Sequence, residues 1–112
     1  DFYFACPGVE MPLCHNLIKS LASGTIPILQ YSQYLEPALE DGINCLVFHD
    51  STSLISALQK ALNMPKEEIK AMRFRTQEYY NKYLAPGSFA KKLLQRTEPN
   101  ISLYLNAYRI PR

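Results

Sequence analysis

The stretch Asn16–Tyr31, NLIKSLASGTIPILQY, places a helical pattern directly before a strand pattern and decides the fold. The helix is predicted to end at Gly24, a residue suited to a C-terminal cap. TIPILQY is apolar without alternation, which predicts a strand covered on both faces, as in a parallel sheet. Pro27 has no N–H to give to a neighbouring strand, so it favours a strand start or an edge strand. Lys19, near the middle of the predicted helix, raises the question of what it contacts.

Upstream of this stretch, the sequence predicts another strand and the beginning of the helix. DFYFAC is short, aromatic and β-prone, and it stops at Pro7-Gly8. From Leu13, apolar residues recur at positions 13, 14, 17, 18, 21 and 22, which is helical spacing with one apolar face. Pro12 suits the first helical turn, where its missing N–H costs nothing. Strand, helix and strand with short joints make a βαβ unit.

Downstream, the sequence predicts one more strand and a run of helices. SQYLEPALEDGIN reads as a loop with a helical turn at 36–40, and CLVF reads as the third strand. Asp50 and Thr52 are the best caps for a helix that ends before Pro65. A charged helix follows and is broken at Pro86-Gly87, after which Ser88 is the expected cap of a last helix. The charged helix is predicted to bury the stripe Ile69, Met72, Thr76, Tyr79 and Tyr83.

The order β-α-β-(loop)-β-α-α-α predicts an α/β fold, a partial doubly wound, Rossmann-like parallel sheet flanked by helices. Residues 1–96 form the predicted half-domain. Residues 97–112 form a C-terminal tail, in which ISLYLNAYRI suits a strand or a short helix equally. Three strands are few for a sheet of this class, and the chain begins without Met, directly in a strand. We therefore expect a fragment of a larger domain.

Composition excludes some classes of protein. The chain has 112 residues, 47% of them hydrophobic, and a net charge of +2 from basic residues spread along the sequence, which argues against a nucleic-acid partner. Three cysteines without a C-x-x-C pair predict reduced, mostly buried thiols. A zinc site at Cys14 and His15 is disfavoured because adjacent helical residues point in different directions. Without a signal peptide or an apolar run long enough to cross a bilayer, the expected location is the cytoplasm, with peripheral membrane attachment as a further expectation.

In an open α/β sheet, ligands bind at the carboxyl ends of the strands. Here those ends are predicted at 7–13, 31–40 and 49–53. The first of these segments feeds a helix whose N-terminal N–H groups suit phosphate, so the backbone of Pro12–Asn16 is the best candidate anion site. Neither a glycine-rich dinucleotide fingerprint nor a P-loop is present, which disfavours a nicotinamide or P-loop site.

Three stretches in register, DFYFACPGVEMPLCHNLIKSLASGTIPIL, YLEPALEDGINCLVF and STSLISALQKAL, resemble a known family. They resemble the C-terminal, nucleotide-sugar-binding half of GT-B glycosyltransferases of the group 1 and exostosin-like kinds. The resemblance implies transfer of a sugar from a nucleoside-diphosphate sugar to a hydroxyl of a glycan or lipid-linked acceptor, without a cofactor or bound metal. It also implies that the acceptor site and any general base belong to an N-terminal domain of the same enzyme, and that the fragment alone is inactive.

Enzymes of this family commonly carry two glutamates separated by seven residues. The first lies near the transferred sugar, and the second accepts hydrogen bonds from the nucleotide ribose. In register with Ala22-Ser23-Gly24-Thr25, these positions fall on Met11, with Glu10 beside it, and on Lys19. A lysine has three donors and no acceptor, so it cannot accept a hydrogen bond from a ribose hydroxyl. Lys19 is therefore a changed contact to a phosphate or acidic sugar, a solvated helix residue, or the mark of a decayed site.

The resemblance implies a set of site residues, each with a plain structural alternative. The expected catalytic residues are Glu10 and His15. A one-residue shift of the loop would bring Glu10 to the first glutamate position; the alternative is an exposed loop acid. For His15 the alternative is a capping or surface histidine. Tyr31 and Tyr34 follow the second strand, where an aromatic ring can stack on a base or simply pack. The expected substrate-binding set is Met11, Pro12, Leu13, Cys14, Asn16, Lys19, Ser20, Tyr31, Tyr34 and Glu36.

Two other classes of protein compete with the transferase. A degenerate module that serves in recognition or assembly is favoured by the lysine at position 19. A flavodoxin-like domain would need an acidic cluster after the first strand or a flavin-holding loop, and the sequence shows neither.

Overall fold

The structure, a computed structural model, describes residues 1–7 and 13–102. Within these ranges one parallel sheet has the order β1-β2-β3, with Phe2 opposite Ile26 and Ile28 opposite Leu46. The predicted α/β class with a parallel sheet flanked by helices is thus confirmed. The elements are β1 (Phe2–Phe4), α1 (His15–Ala22), β2 (Ile26–Leu29), a 3₁₀ turn (Ser32–Tyr34), β3 (Leu46–Val47), α2 (Ser51–Asn63), α3 (Lys66–Tyr79), a π-helical turn (Tyr80–Leu84) and α4 (Ser88–Leu94).

The joint between α1 and β2 is a Schellman motif, as the position of Gly24 predicts. Gly24 has φ +66°, the left-handed conformation that glycine adopts without a Cβ penalty. The N–H of Gly24 donates to the Leu21 carbonyl at 3.1 Å, and the N–H of Thr25 donates to the Ser20 carbonyl at 2.9 Å. These bonds satisfy the last carbonyls of α1 and send the chain into β2 at once.

Pro27 is the second residue of the central strand, so it lies next to a strand start and the alternative of an edge strand is wrong. Phe48 N–H donates to the Leu29 carbonyl, which shows that Leu29, and Pro27 two residues earlier, face β3. In this register the proline nitrogen lies opposite Asn44, before β3 begins. The Asn44 carbonyl accepts instead from Oγ1 of Thr76 at 3.0 Å. A side chain of α3 therefore replaces the ladder hydrogen bond that Pro27 cannot make.

The two faces of the sheet carry separate hydrophobic clusters, as expected for strands covered on both sides. One cluster packs α1 and the end of α3 on the sheet and includes Leu17, Leu21, Leu29, Leu35, Leu39, Cys45 and Tyr79. The other packs α2 and the start of α3 on the opposite face and includes Ile26, Ile28, Leu46, Phe48, Ala57, Ala61 and Met72.

Helix α3 lies across the amino ends of all three strands. The Arg73 guanidinium donates to the Gly24 carbonyl at 2.9 Å and to the Asp1 carboxylate at 2.8 Å. Thr76 donates to the Asn44 carbonyl. Asp1, Gly24 and Asn44 stand just before β1, β2 and β3, respectively. Helix α3 is therefore bonded to the amino edge of the sheet, where Asp1, Gly24 and Arg73 also line a cavity of ≈ 550 Å³.

Several local predictions need correction. The helical turn in the long loop lies at Ser32–Tyr34 and not at 36–40. Tyr83 is 37% exposed and does not continue the buried stripe, whose members Met72, Thr76 and Tyr79 are buried as predicted. The residue before α4 is Gly87 with φ +86°, so Ser88 is the first helical residue rather than the cap. Of the cysteines only Cys45 is buried, while Cys6 is exposed.

Of the two caps predicted for α2, Asp50 is confirmed, whereas Thr52 lies inside the helix. Asp50 Oδ1 accepts from the Ser53 N–H at 2.7 Å, and Ser53 Oγ accepts from the Asp50 N–H at 2.9 Å, which completes a capping box. The Ser53 N–H and the Ser53 hydroxyl, which lies 2.8 Å from Oδ1, both donate to the Asp50 carboxyl and lower its pKa below the usual value. No helix within residues 1–7 and 13–102 is long and apolar enough to cross a membrane.

Stability at high pH is expected to depend on Tyr79. Its hydroxyl donates to the Pro37 carbonyl, and burial, followed by the charges of Tyr83 and Glu36, raises the Tyr79 pKa to about 12. The folded state therefore keeps Tyr79 protonated to a higher pH than the unfolded chain. This contribution to the free energy of unfolding is complete below pH 10.0 and is lost as the pH rises through about 12.

Urea unfolding followed at several pH values between these limits measures the effect. Tyr79→Phe removes the titrating hydroxyl and should flatten this part of the pH dependence, whereas Tyr31→Phe, at an exposed tyrosine, should leave it unchanged. An equally steep pH dependence in Tyr79→Phe would contradict the assignment.

Candidate functional site

The carboxyl edge of the sheet is formed by the residues that follow the three strands. Ala5 and Cys6 follow β1, Gln30 and Tyr31 follow β2, and His49 follows β3. The side chain of Gln30 donates to the His49 carbonyl at 3.3 Å and so ties the ends of β2 and β3 together. The N-terminus of α1 lies at the same edge, since α1 runs back along the sheet towards the start of β2.

His15 and Asn16 form the exposed first turn of α1. The Cys14 side chain makes no capping hydrogen bond to this helix; its thiol donates instead to the Cys6 carbonyl, with the sulfur 3.6 Å from the oxygen. A helix start that its own N-cap side chain does not cap carries partial positive charge from its backbone N–H groups and favours an anion. The expected positions of Glu10, Met11 and Pro12 lie outside the described residues, so their roles stay predictions.

The space between the described residues of this edge is small. A crevice of ≈ 10 Å³ is lined by Ala5, Cys6, Cys14, Leu17, Leu29, Gln30 and Tyr31. Such a volume holds about one water molecule. The described residues of this edge therefore form a surface rather than a deep cavity.

Tyr31 and Tyr34 give the edge an exposed aromatic surface. Their ring centroids are 5.8 Å apart in an edge-to-face arrangement, and both rings are exposed. Part of each ring is therefore free to pack against an apolar or aromatic ligand. Tyr31 also lines the crevice beside Cys14, which places it close to the start of α1.

Lys19 lies on the flank of α1 and not in the crevice. It lines an open groove of ≈ 220 Å³ together with Tyr3, Asn16, Ser20, Ser23 and Thr25. Asn16 and Lys19 are three residues apart and share one face of the helix, and helical side chains lean towards the N-terminus. Lys19 also stands in the last turn of α1, where the helix dipole favours a cation over a carboxylate.

The remaining predicted residues divide between packing and other surfaces. Leu13 packs against the α1 cluster. Ser20 is buried, and its hydroxyl donates to the Leu17 carbonyl at 2.8 Å. Glu36 lines a separate cavity with Lys82, Lys91 and Lys92. The structure thus brings Cys14 and Tyr31 together at the crevice and places Asn16, Lys19 and Ser20 in the groove, whereas Glu36 lines neither.

Two residues that the sequence did not single out belong to these surfaces. Tyr3 forms one side of the Lys19 groove, and Gln30 lines the crevice. The alternation of a strand is the signal for Tyr3, because it shares a sheet face with Ala5, two residues on, and both contact the α1 cluster. The role of Gln30 depends on its hydrogen bond to the His49 carbonyl. No local sequence pattern predicts this bond.

Among residues 1–7 and 13–102, no three His, Cys, Asp or Glu side chains come together as potential metal ligands. The zinc site considered at Cys14 and His15 therefore has no third ligand of these types within that part of the chain. No family model, curated protein or solved structure matched this chain in the three comparisons made.

Proposed function

We propose that this chain is the nucleotide-sugar-binding part of a GT-B glycosyltransferase. The proposal is supported by the resemblance of three sequence stretches in register and by the parallel sheet with α1 between adjacent strands. The observation that carries it is the carboxyl edge, where the open first turn of α1 lies beside the exposed ring of Tyr31. The first turn of α1 suits a phosphate, and the Tyr31 ring suits a base.

In this proposal the chain acts mainly through electrostatics. The N–H groups around His15 and Asn16 hold the diphosphate and stabilise its charge as the sugar leaves. Lys19, on the same helix face as Asn16, adds a positive charge along the flank of α1. The sugar is transferred to a hydroxyl of a glycan or lipid-linked acceptor held by an N-terminal domain of the same enzyme.

A titration of the ¹⁵N-labelled chain with UDP, GDP, ADP and CMP, followed by amide chemical shifts, tests the proposal. We expect one nucleotide to give saturable shifts at residues 13–19 and 30–34. Tyr31→Ala should weaken this binding roughly tenfold, because stacking on a base contributes about 1–3 kcal/mol. Tyr31→Phe keeps the ring and should bind like the parent chain.

Tyr83→Ala is the matched control, because Tyr83 is 37% exposed and Tyr31 is 36% exposed, but Tyr83 lines neither the crevice nor the Lys19 groove. An equal loss of affinity in both alanine variants would contradict the proposed site. Robust sugar transfer by this chain alone would contradict the proposal that the acceptor domain is separate.

The second candidate function is a non-catalytic recognition module with the same fold. It is favoured by Lys19, which has no acceptor for a ribose, and by a crevice of only ≈ 10 Å³ between the described residues. Absence of nucleotide-induced shifts in this chain and in a longer polypeptide that includes the N-terminal domain would support it. Binding restored only in the longer polypeptide would support the transferase.

A further inference from the structure

Two cysteines lie close together at the carboxyl edge, at either end of the segment that joins β1 to α1. The sulfur of Cys14 is 3.6 Å from the carbonyl oxygen of Cys6, and both residues line the same crevice. Cys6 is exposed and Cys14 is partly buried, so a small oxidant in solution can reach the pair. The donor site proposed above uses backbone N–H groups and the Tyr31 ring, so it leaves both thiols without a role.

Covalent geometry limits the separation of the two residues. Each Cα lies within about 3 Å of its own carbonyl oxygen or Sγ atom, so the 3.6 Å contact keeps the two Cα atoms within about 9 Å. Disulfides usually join Cα atoms roughly 4.4–6.8 Å apart. Even at the upper limit, a backbone shift of about 2 Å brings the pair into this range.

We propose that Cys6 and Cys14 form an intramolecular disulfide when the chain meets a small disulfide oxidant such as oxidised glutathione. The thiolate of one cysteine attacks a sulfur of the oxidant and releases one glutathione thiol. The thiolate of the second cysteine then attacks the mixed disulfide and releases the second glutathione thiol. The two protein thiols lose two electrons and two protons, and the S–S bond of the oxidant is reduced to two thiols.

Cys45 provides an internal comparison within the same chain. It is fully buried within the α1 cluster, and burial, with smaller effects from the charges of Asp41 and Glu40, raises its pKa to about 12. Because the thiolate is the reactive form, Cys45 stays an inert thiol at neutral pH. Oxidation should therefore be confined to the pair at the carboxyl edge.

The disulfide would tie the end of β1 to the start of α1 and hold the segment 7–13 at both ends. It is a property of the chain itself and does not depend on the proposed sugar-nucleotide function. The formation of the disulfide can therefore be tested without a sugar donor or a glycan acceptor.

The folded chain is incubated with oxidised glutathione, remaining thiols are alkylated after denaturation, and the intact mass is measured. We expect the mass to show the loss of about 2 Da that one disulfide produces, with one alkylated cysteine. Glu10 is the only acidic residue between Cys6 and Cys14, so a glutamate-specific protease cuts the chain between them. The two resulting peptides should stay joined until a reductant is added.

In Cys14→Ser, we expect Cys6 to carry a glutathione adduct in place of the internal bond. Because the parent chain carries the main readout, the test does not depend on the folding of this variant. A parent chain that shows only glutathione adducts, an intermolecular dimer through Cys6, or a bond to Cys45 would overturn the proposal.

Discussion

The Leu21→Ala variant is expected to lose about 3 kcal/mol of its free energy of unfolding, within the range of about 2–5 kcal/mol for buried leucines. Leu21 is 0% exposed in the cluster where α1 meets the sheet and the end of α3. Shortening it removes buried methyl groups and leaves a cavity that close-packed neighbours fill only in part. Small domains are stable by about 5–15 kcal/mol, so this one change removes a large fraction of the total.

Urea denaturation, monitored by circular dichroism, measures this loss. We expect a lower urea concentration at the midpoint and an unchanged dependence of the free energy of unfolding on urea. Leu62→Ala is the matched control, since Leu62 is also helical but is 85% exposed. Its effect should stay within about 0.5 kcal/mol. Equal losses in the two variants would show that Leu21 is not buried as described.

The Thr76→Val variant is expected to lose about 1–3 kcal/mol, although valine has nearly the same shape as threonine. Thr76 is 0% exposed, and its hydroxyl donates to the Asn44 carbonyl at 3.0 Å and approaches the Met72 carbonyl at 2.9 Å. Without the hydroxyl, the Asn44 carbonyl loses this donor, and Pro27 across the sheet has no N–H to replace it. The cost is that of an unsatisfied buried acceptor.

Thr76→Ser separates the hydrogen bond from the packing. Serine keeps the hydroxyl and loses one methyl group, which costs about 0.8 kcal/mol. We therefore expect the order of stability to be parent, then Thr76→Ser, then Thr76→Val, measured by urea denaturation. If Thr76→Val is more stable than Thr76→Ser, packing outweighs the hydrogen bond and our account of Pro27 is wrong.

The sequence was sufficient for those parts of the fold that depend on local chemistry. Gly24 directly after a helical pattern, and TIPIL directly after Gly24, predict the helix end and the buried parallel strand, because both follow from backbone preferences and apolar patterning. The cap at Asp50, one of two candidates, was predictable for the same reason, whereas its capping box with Ser53 was not predicted. No such local signal placed Pro27, because its position depends on where the neighbouring strand begins and on Thr76, far away in the sequence.

The exposure of Tyr83 has a separate physical cause. The Ala85 N–H donates to the Tyr80 carbonyl five residues earlier, which makes the turn after α3 wider than an α-helical turn. The Tyr83 ring keeps contact with Tyr79, with centroids 5.1 Å apart, but in this wider turn 37% of the residue stays exposed. A prediction based on a constant period of 3.6 residues has no means of detecting such a change.

The candidate site was less predictable than the fold. Residue order places His15 and Tyr31 at the carboxyl edge, because parallel strands end there. It does not show that the Ser20 hydroxyl is turned back to the Leu17 carbonyl, or that Lys19 faces a groove with Tyr3. These details depend on side-chain direction and on tertiary neighbours rather than on spacing.

The position of α3 has a consequence for how the chain acquires its structure during synthesis. Met72 closes one core cluster, Tyr79 closes the other, and Thr76 supplies a hydrogen bond at the start of β3. The ribosome synthesises all three strands before this helix. Until α3 is available, both faces of the nascent sheet are incompletely covered. We expect a nascent chain that stops before Lys66 to stay protease-sensitive, and one that extends past Leu84 to acquire resistance in a single step.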